Sequence, residues 1–479
     1  MAEDKQYASE CECKQIALYS IKDETTPYVN LISMAVTFQY HEDIFWPSYG
    51  ATMTVVDNQE NIISSMPIQG FEKVVMEFED VIGEQYSYTF RIWNISNRIT
   101  RERRNTYTLS LISEEGLLNE GIRINKVIEG NTAAKVKEIL SKYLKVPGGK
   151  IDSEVSATSV KVLPTKKTPF SLIRSLQGGT ISERTGEIGT SKSSSGTSTN
   201  TTVETTTDLN PQTAHKATGT AGYLFFQTRK GHVFRSIDSL CSSDDEFNGK
   251  PPVNLEDPFF MTRASIADGD DSRKRIQEIK FGSELNMMKK LREGAYSSLC
   301  CFFNINTGEY DEQIYSLKDM WDNMAHMGSQ TTLPSGMARW SDYPTRVMST
   351  IINHENWYMG KKIASNEDKH GGSGDNSFPD WQKQSLAQSI SRIGILFNQE
   401  LIISLTGHLE LCAGDKIEVR IPNQIPDENR EDVWDPEHSG TYLIKNLNHQ
   451  FNIPAKSVYT VLELVRDSFG IKDQESRVT

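Results

Sequence analysis

Near the start of the chain, apolar and polar residues alternate in the way that is typical of half-buried strands. In the run "YGATMTVVDNQENI", Ala51, Met53 and Val55 alternate with more polar neighbours, and Asp57-Asn58 closes the run as a turn signal. Two further runs, "FEKVVMEFED" and "YSYTFRIWNIS", are separated by a turn that contains glycine. This pattern predicts an all-β unit of barrel or sandwich type, which we assign to residues 14–126 as a first small antiparallel β-barrel.

A helical period replaces the alternation in the next part of the chain. In "NTAAKVKEILSKYL", Val136 and Ile139 begin one apolar stripe, and Asn131 or Thr132 can cap the helix. A second helix is predicted in "TPFSLIRSL", where a threonine cap precedes proline at the first helical position. The pattern "GYLFFQTRKGHVFRSID" then predicts a hairpin with a glycine in its tight turn. Together these elements predict an α+β domain over residues 127–264.

Residues 178–218, inside this domain, contain the polar run "GTSKSSSGTSTNTTVETTTD". So little apolar surface cannot offset the entropy lost when a chain is ordered, so we interpret the segment as a flexible loop. It either connects its neighbours and does nothing more, or contacts a partner.

Strand patterns return in "RIQEIKFGSEL" and "SLCCFFNINTGEYDEQIYSL", and again in "LIISLTGHLELCAGDKIEVRIPN". They predict a second β-barrel that is discontinuous in sequence, built from residues 265–300 and 395–470. Residues 301–394 are interpreted as an inserted irregular and helical segment, with one helix in "DWQKQSLAQSISRIGILFN". The predicted fold class is therefore mainly β with α+β insertions, comprising two similar small antiparallel β-barrels and an α/β domain.

A hairpin sequence occurs twice. The stretch "TFRIWNISNRITRERRNTYTLSLIS" from Thr89 aligns without a gap to "TYLIKNLNHQFNIPAKSVYTVLELV" from Thr441, with five identical positions. Each copy follows a glycine and an alternating strand, "GFEKVVMEF" from Gly70 and "GDKIEVRI" from Gly414. Two unrelated hairpins can look alike because tyrosine, threonine and isoleucine suit pleated surfaces. The longer shared order of strand, loop and hairpin favours duplication of a β unit.

Composition and charge exclude several function classes. The 479 residues carry a net charge of −13, which disfavours non-specific binding to nucleic acid or to anionic membranes. The opening "MAEDKQYASE" predicts no secretory signal, and no apolar run reaches the roughly 18 residues of a membrane span. Six cysteines in so long a chain do not indicate a disulfide framework, so we expect folding in a reducing cytoplasm.

The sequence contains no recognisable catalytic or metal-binding motif. His354 begins "HENWY", which lacks the second histidine of a zinc helix, and Cys11 and Cys13 lie too close for a zinc knuckle. "DGDD" at residues 268–271 and the acidic stretch 427–437 lack the ligand spacing of an EF-hand, so we interpret both as solvated loops. We expect no catalytic residue, no cofactor and no resident metal.

Two further groups of residues have simple expected roles. Cys300 and Cys301 alternate across an apolar strand, where a packing role is expected. A cluster of four arginines occupies the turn of the first hairpin. It is either a solvated turn or an electrostatic contact to an acidic patch of another subunit. The members of this predicted protein interface are Arg98, Arg101, Arg103 and Arg104.

Taken in order, six segments of the chain resemble the baseplate hub proteins of contractile-tailed bacteriophages. The likeness is to T-even-type hubs, and the hub part of type VI secretion spike proteins is related. The resemblance runs from about Val29 to Asp467, and its strength lies in the order of the segments and in the repeat. The segments are "YGATMTVVDNQENI", "NTAAKVKEIL", "TPFSLIRSL…GYLFFQT", "RIQEIKFG", "GHLELCAGDKIEV" and "GTYLIKNLNHQF…SVYTVLELV".

This resemblance implies a specific role. Such hubs carry two similar barrels in one chain and assemble as homotrimers, so that six barrels form a pseudo-six-fold ring. The ring is a symmetry adaptor between the six-fold tail tube and the three-fold central spike, and it leaves a channel for DNA. The implied location is the virion tail baseplate, after assembly in the host cytoplasm.

The implied partners are the central spike trimer, tail tube or tube-initiator proteins, and baseplate wedge proteins. Neither specific nucleic-acid binding nor stable membrane insertion is implied. The chain departs from the pattern at the Ser/Thr-rich run, which looks like an insertion, and at residues 318–380, which match nothing in the family. Two alternatives remain, namely a tail-associated cell-wall hydrolase and the hub of a non-viral contractile injection system.

Overall fold

The computed structural model describes most of the chain. The described residues are 8–57, 68–101, 104–183, 220–261, 273–282, 286–304, 310–321, 324–328, 343–352, 359–360, 380–423 and 434–470. Several sequence predictions fall outside these ranges. They concern His354, Arg103, residues 268–271, most of the acidic stretch 427–437 and most of the Ser/Thr-rich segment.

Strands dominate the described chain. They are Glu12–Ser20 (β1), Asp23–Asn30 (β2), Ala35–Asp43 (β3), Gly50–Asp57 (β4), Lys73–Glu79 (β5), Gln85–Arg101 (β6), Arg104–Ile112 (β7), Ile128–Asn131 (β8), Ile151–Ser153 (β9), Thr158–Val162 (β10), Tyr223–Thr228 (β11), Gly231–Ser236 (β12), Phe259–Phe260 (β13), Glu278–Phe281 (β14), Ser297–Asn304 (β15), Tyr310–Ser316 (β16), Arg346–Ile352 (β17), Met359–Gly360 (β18), Gln399–Thr406 (β19), Lys416–Arg420 (β20), Gly440–Asn452 (β21) and Ser457–Arg466 (β22).

Helices are fewer and mostly short. They are Glu114–Gly121 (α1), Thr132–Tyr143 (α2), Pro169–Gln177 (α3), Ile237–Cys241 (α4), Met287–Glu293 (α5), Leu317–Met320 (α6) and Asp380–Leu396 (α7). The predicted caps are confirmed. The Asn131 side chain accepts a hydrogen bond from the Ala134 backbone N–H, and Thr168 accepts one from Ser171, with Pro169 at the first helical position.

One large sheet organises the described fold. Its 13 strands follow the order β14-β19-β22-β21-β3-β4-β7-β6-β5-β1-β2, with β20 on β21 and β13 on β20. The predicted alternation is confirmed in β4, where Ala51, Met53 and Val55 are buried. The predicted class, mainly β with α+β insertions, is confirmed. The two β units share this sheet, because β3 of the first unit pairs with β21 of the second.

The inserted segment is more regular than its sequence pattern indicated. Strand β15 spans the predicted boundary at residue 300 and pairs with β16 and β17 in a separate three-stranded sheet. The predicted packing role of Cys300 and Cys301 is confirmed, since both side chains are buried in this sheet. Helix α7 lies against β15 and β16 and contributes Ala387 and Ile395 to their core.

The start of the Ser/Thr-rich segment is packed into the fold. Ile181 is buried and forms an isolated bridge with Ala221, while Ser182 bonds the backbone of Thr220. These contacts join the two described ends of the segment, so that residues 184–219 connect two points that lie side by side.

A buried charge network joins elements that are far apart in sequence. Arg392 of α7 is fully buried and donates hydrogen bonds of 2.8 Å to Asp238 of α4 and to Asp467, just after β22. It also donates to the carbonyl of Ala325. His326 Nδ1 lies 2.7 Å from Asp467 Oδ2, the same oxygen that accepts the hydrogen bond from Arg392. The network therefore ties the inserted helix to the α+β domain and to the second β unit.

Candidate assembly interface

The sheet contains the same five-strand arrangement twice. In the first unit, the strands are hydrogen-bonded in the order β3-β4-β7-β6-β5, and all the pairs are antiparallel. In the second unit, β14-β19-β22-β21-β20 repeats this order, again with antiparallel pairs. The repeat predicted from two hairpins thus extends to five strands.

A local irregularity is duplicated with the strands. A β-bulge interrupts β6 between Ile92 and Asn94, and another interrupts β21 between Ile444 and Asn446. These residues are two of the identical pairs in the sequence repeat. Because a bulge at a given position is a specific backbone feature rather than a consequence of strand composition, its repetition supports duplication over coincidence.

In the second strand of the hairpin, the gapless sequence alignment is wrong by one residue relative to the pairing in the structure. Tyr107 is buried, whereas Tyr459, its partner in the alignment, is exposed. Strand β6 has an additional bulge between Ser96 and Ile99, where Asn97 takes a positive φ of 51°, and β21 has none there. The bulge shifts the register by one residue.

Inside the chain, the two units meet by strand pairing. The outer half of β21 pairs antiparallel with β3, from Asn446 opposite Asp43 to Asn452 opposite Thr37. At this junction, Phe451 is only 4% exposed, and its ring lies 4.2 Å from that of Phe78, centroid to centroid. The junction is therefore part of the main hydrophobic core.

The carboxylate of Glu42, which lies in β3, also stabilises this junction. It accepts hydrogen bonds from the Tyr40 hydroxyl at 2.5 Å, from the Arg229 backbone N–H at 2.6 Å and from the Ala413 backbone N–H at 2.7 Å. Burial raises the pKa of Glu42 to about 7, although these donors oppose the rise.

The corresponding edge of β6 has no such neighbour among the described residues. Strand β5 covers β6 only up to Ile92, where the Phe71 backbone N–H bonds the Ile92 carbonyl. Beyond that point β6 continues to Arg101 with β7 on one side only. Thr100, which the strand registers place at the position of Phe451 in the repeat, is exposed. A position that is buried in one copy is thus exposed in the other.

The complementary edge lies on β14, at the end of the sheet. Among the described strands, β14 pairs with β19 alone. The registers of the two units place Ile279 at the position of Phe38, and Phe281 at the position of Tyr40. Tyr40 is 1% exposed, whereas Phe281 is 40% exposed. Each unit therefore has both kinds of strand that form the junction. Within the chain, the first unit uses β3 and the second unit uses β21, whereas the corresponding edges of β14 and β6 are not paired in this way among the described strands.

The predicted arginine cluster lies at the tip of the exposed part of β6. Arg98, Arg101 and Arg104 are exposed at the β6–β7 turn. The structure places them next to the open edge, which the sequence analysis did not identify. A signal for that edge was present, since Trp93, Ile95 and Ile99 continue an apolar pattern in a region that the repeat aligns with a buried strand.

The described residues hold no arrangement with evident chemistry. No group of three or more His, Cys, Asp or Glu side chains in this part of the chain is placed to hold a metal ion. Burial raises the pKa of Cys13 to about 12 and that of Cys300 to about 11, so both thiols are protonated near neutral pH. No helix within the described ranges is long and apolar enough to cross a membrane.

The fold is similar to those of phage tail proteins and of a type VI secretion component. A tail protein from Neisseria meningitidis MC58 has a TM-score of 0.47 and 10% identity, over 95% of this chain and 96% of that one. The 43 kDa tail protein of prophage MuSo2 from Shewanella oneidensis has a TM-score of 0.49 and 9% identity, over 95% and 99%. A component of the E. coli type VI secretion system has a TM-score of 0.38 and 7% identity, over 95% and 76%.

No family model matches the sequence, and no curated protein matches it significantly. The resemblance to tail and type VI secretion proteins that the sequence predicted is confirmed at the level of the fold.

Proposed function

We propose that the chain is the structural hub of a phage tail baseplate, acting as a trimeric symmetry adaptor between a six-fold tail tube and a three-fold central spike. The observation that carries this proposal is the duplicated five-strand unit with its repeated bulge. A single chain with two equivalent units can present near-six-fold surfaces when three copies assemble. A β unit that was needed only for stability would have no reason to occur twice.

Charge supports a passage for DNA through the ring. The chain carries a net charge of −13. A channel wall that bound phosphates tightly would retain the DNA, because each neutralised phosphate adds to the affinity. A net-negative hub suits a channel through which DNA slides. The same geometry serves the hub of a non-viral injection system, which the genes next to this one would distinguish.

The mass of the purified protein tests the assembly. Light scattering should give a mass of three 54.0 kDa chains, or a concentration-dependent approach to it. The physical reason is that a head-to-tail contact between unlike units continues until the ring closes. A chain that stays monomeric at tens of micromolar, and also fails to trimerise when the spike protein is added, would contradict the proposal.

We also propose that the chain has no catalytic activity of its own. The protonated, buried thiols and the absence of a metal-type cluster in the described residues support this proposal. A zymogram with peptidoglycan as substrate should show no clearing by the pure protein. Clearing that a single carboxylate substitution abolishes would favour the cell-wall hydrolase instead.

A further inference from the structure

We infer that a basic cleft between the α+β domain and the second β unit binds a short peptide segment of a partner protein, one in which acidic and apolar side chains alternate. The cleft has a volume of about 410 Å³, within the range of protein ligand sites. Its walls come from four parts of the chain, namely residues 149–152, 226–240, 250–253 and 412–416. Because the cleft is formed within one chain, the inference does not depend on the proposed ring.

Close backbone approaches hold the walls of the cleft together. Gly231, in the turn between β11 and β12, has a φ of 141°, and a Cβ atom there would overlap the carbonyl of Lys150. Gly414 has a φ of 84°, and a Cβ atom there would lie 2.6 Å from an aromatic ring of β11. The Val253 backbone N–H donates a hydrogen bond of 2.9 Å to the carbonyl of Lys416. These contacts join all four parts, so the cleft is formed before a ligand binds.

Positive charge is concentrated in this cleft, although the chain as a whole is acidic. Five cationic side chains and two carboxylates line the cleft, which leaves three positive charges in excess, whereas the chain has a net charge of −13. A cleft lined by one sign of charge attracts groups of the opposite sign. The cations are Lys150, Lys230, Arg235, Lys250 and Lys416, and the carboxylates are Asp152 and Asp415.

The carboxylates of the cleft do not neutralise its cations. Asp152 lies 2.8 Å from both Arg235 and Lys250, so two positive charges share one negative charge. Burial raises the pKa of Asp152, but Arg235 and Lys250 outweigh this effect and hold it below its usual value. Lys150 is exposed and forms no ion pair with the described residues. Positive charge therefore remains available for an acidic ligand.

Apolar side chains in the same lining favour a peptide over a small anion. Phosphate would gain nothing from an apolar surface, and Asp152 and Asp415 would repel it. Successive side chains of an extended peptide point in opposite directions, so acidic groups can meet the lysines while apolar groups meet the lining. Val253 is 50% exposed and is open to such a contact. The apolar members of the lining are Ile151, Phe226, Val233, Leu240 and Val253.

A nucleic acid would meet the same cations, but the rest of the chain opposes it. Duplex DNA carries one negative charge about every 1.7 Å, so it would extend beyond the cleft into the negative field of the protein. A short peptide with a few carboxylates meets mainly the local field, since charges are screened beyond about 10 Å. The charge distribution therefore favours an acidic peptide.

Fluorescence polarisation with a labelled peptide tests the inference. The probe is a hexapeptide that alternates glutamate with leucine, added to the purified full chain, and we expect saturable binding. Peptides with glutamine in place of glutamate, or with serine in place of leucine, should bind at least tenfold more weakly, because charge and apolar contact both contribute. Raising the salt concentration from about 0.1 M to about 1 M, which shortens the Debye length from about 10 Å to about 3 Å, should also weaken the binding.

A charge-reversal variant locates the binding in the cleft. Lys150→Glu combined with Lys230→Glu should weaken binding of the glutamate–leucine peptide at least tenfold. Both side chains are exposed, so the melting temperature should stay near that of the wild type. The matched control combines Lys126→Glu with Lys137→Glu, which makes the same change in net charge at exposed positions outside the cleft, and it should bind the peptide as the wild type does.

A second variant leaves the charge unchanged and serves if charge reversal disturbs the fold. Val253→Ser removes an exposed apolar contact of the cleft and should weaken binding severalfold at an unchanged melting temperature. Binding that neither this variant nor the charge reversal alters would place the peptide elsewhere and overturn the inference.

Competitors distinguish a peptide site from a general anion site. Neither inorganic phosphate nor a hexanucleotide of single-stranded DNA should displace the labelled peptide as well as the unlabelled peptide does. Equal displacement by either competitor would overturn the inference, as would a Kd for the peptide weaker than about 1 mM. The mass of the assembled chain is measured separately, so failure of the peptide to bind leaves the hub proposal standing.

Discussion

Replacing Phe451 by alanine should lower the free energy of unfolding by about 3–5 kcal/mol, the range for large aromatic side chains in packed cores. Phe451 is buried where the two β units meet, and its ring packs against Phe38 and Phe78. The space left by its removal is bounded by β3 and β5, which the rest of the sheet holds in place, so it cannot collapse easily. Chemical denaturation of the dilute, monomeric chain measures the effect.

The repeat supplies the control for this prediction. Thr100→Ala alters the corresponding position of the first unit, where the side chain is exposed, and should cost less than about 1 kcal/mol under the same conditions. The comparison isolates the effect of a neighbouring unit on one position of the repeat. Equal losses for the two variants would mean that the two positions are not equivalent in the way that we describe.

Replacing Arg392 by methionine should also lower the free energy of unfolding by about 3–5 kcal/mol, because it leaves a buried carboxylate without its partner. Arg392 and Asp467 are both fully buried, and their bond of 2.8 Å joins α7 to the end of the second β unit. The control is Glu463→Ala, which breaks a partly exposed ion pair with Lys445 and should cost no more than about 1 kcal/mol. A loss below about 1 kcal/mol for Arg392→Met would contradict the role of the network.

The pH dependence of the free energy of unfolding provides an independent test of the same network. Burial alone would raise the pKa of Asp467, but His326 and Arg392 hold it well below its usual range. A carboxylate with a lowered pKa stabilises the fold above the pKa of the unfolded chain, and this contribution is lost as the pH falls through the folded-state value. Acid should therefore destabilise the wild-type chain more steeply than Arg392→Met.

Local features of the fold could be predicted well from the sequence. The alternation in β4 and the caps at Asn131 and Thr168 depend on residues close together in the chain, and the structure confirms them. The hairpin repeat was also visible, because both copies bury the same face of similar strands. These signals are local, so a pattern of a dozen residues contains them.

Features that depend on distant residues could not be predicted. The bulge at Asn97 shifts one strand by one residue, and no composition signal distinguishes it from a regular strand. The pairing of β3 with β21 joins residues about 400 positions apart, and only the fold brings them together. The open edge of β6 follows from that pairing, which is why the sequence indicated the exposed arginines beside it rather than the edge itself.

Images of the purified trimer test the central claim most directly. Electron-microscopy class averages should show a ring with a central hole and six similar lobes, alternating between two kinds around a three-fold axis. The two kinds are the first and second β units, which have the same arrangement of five strands and differ in the additional strands that pair with them. Averages that show a compact particle without a hole, a two-fold dimer or a ring with only three lobes would contradict the account.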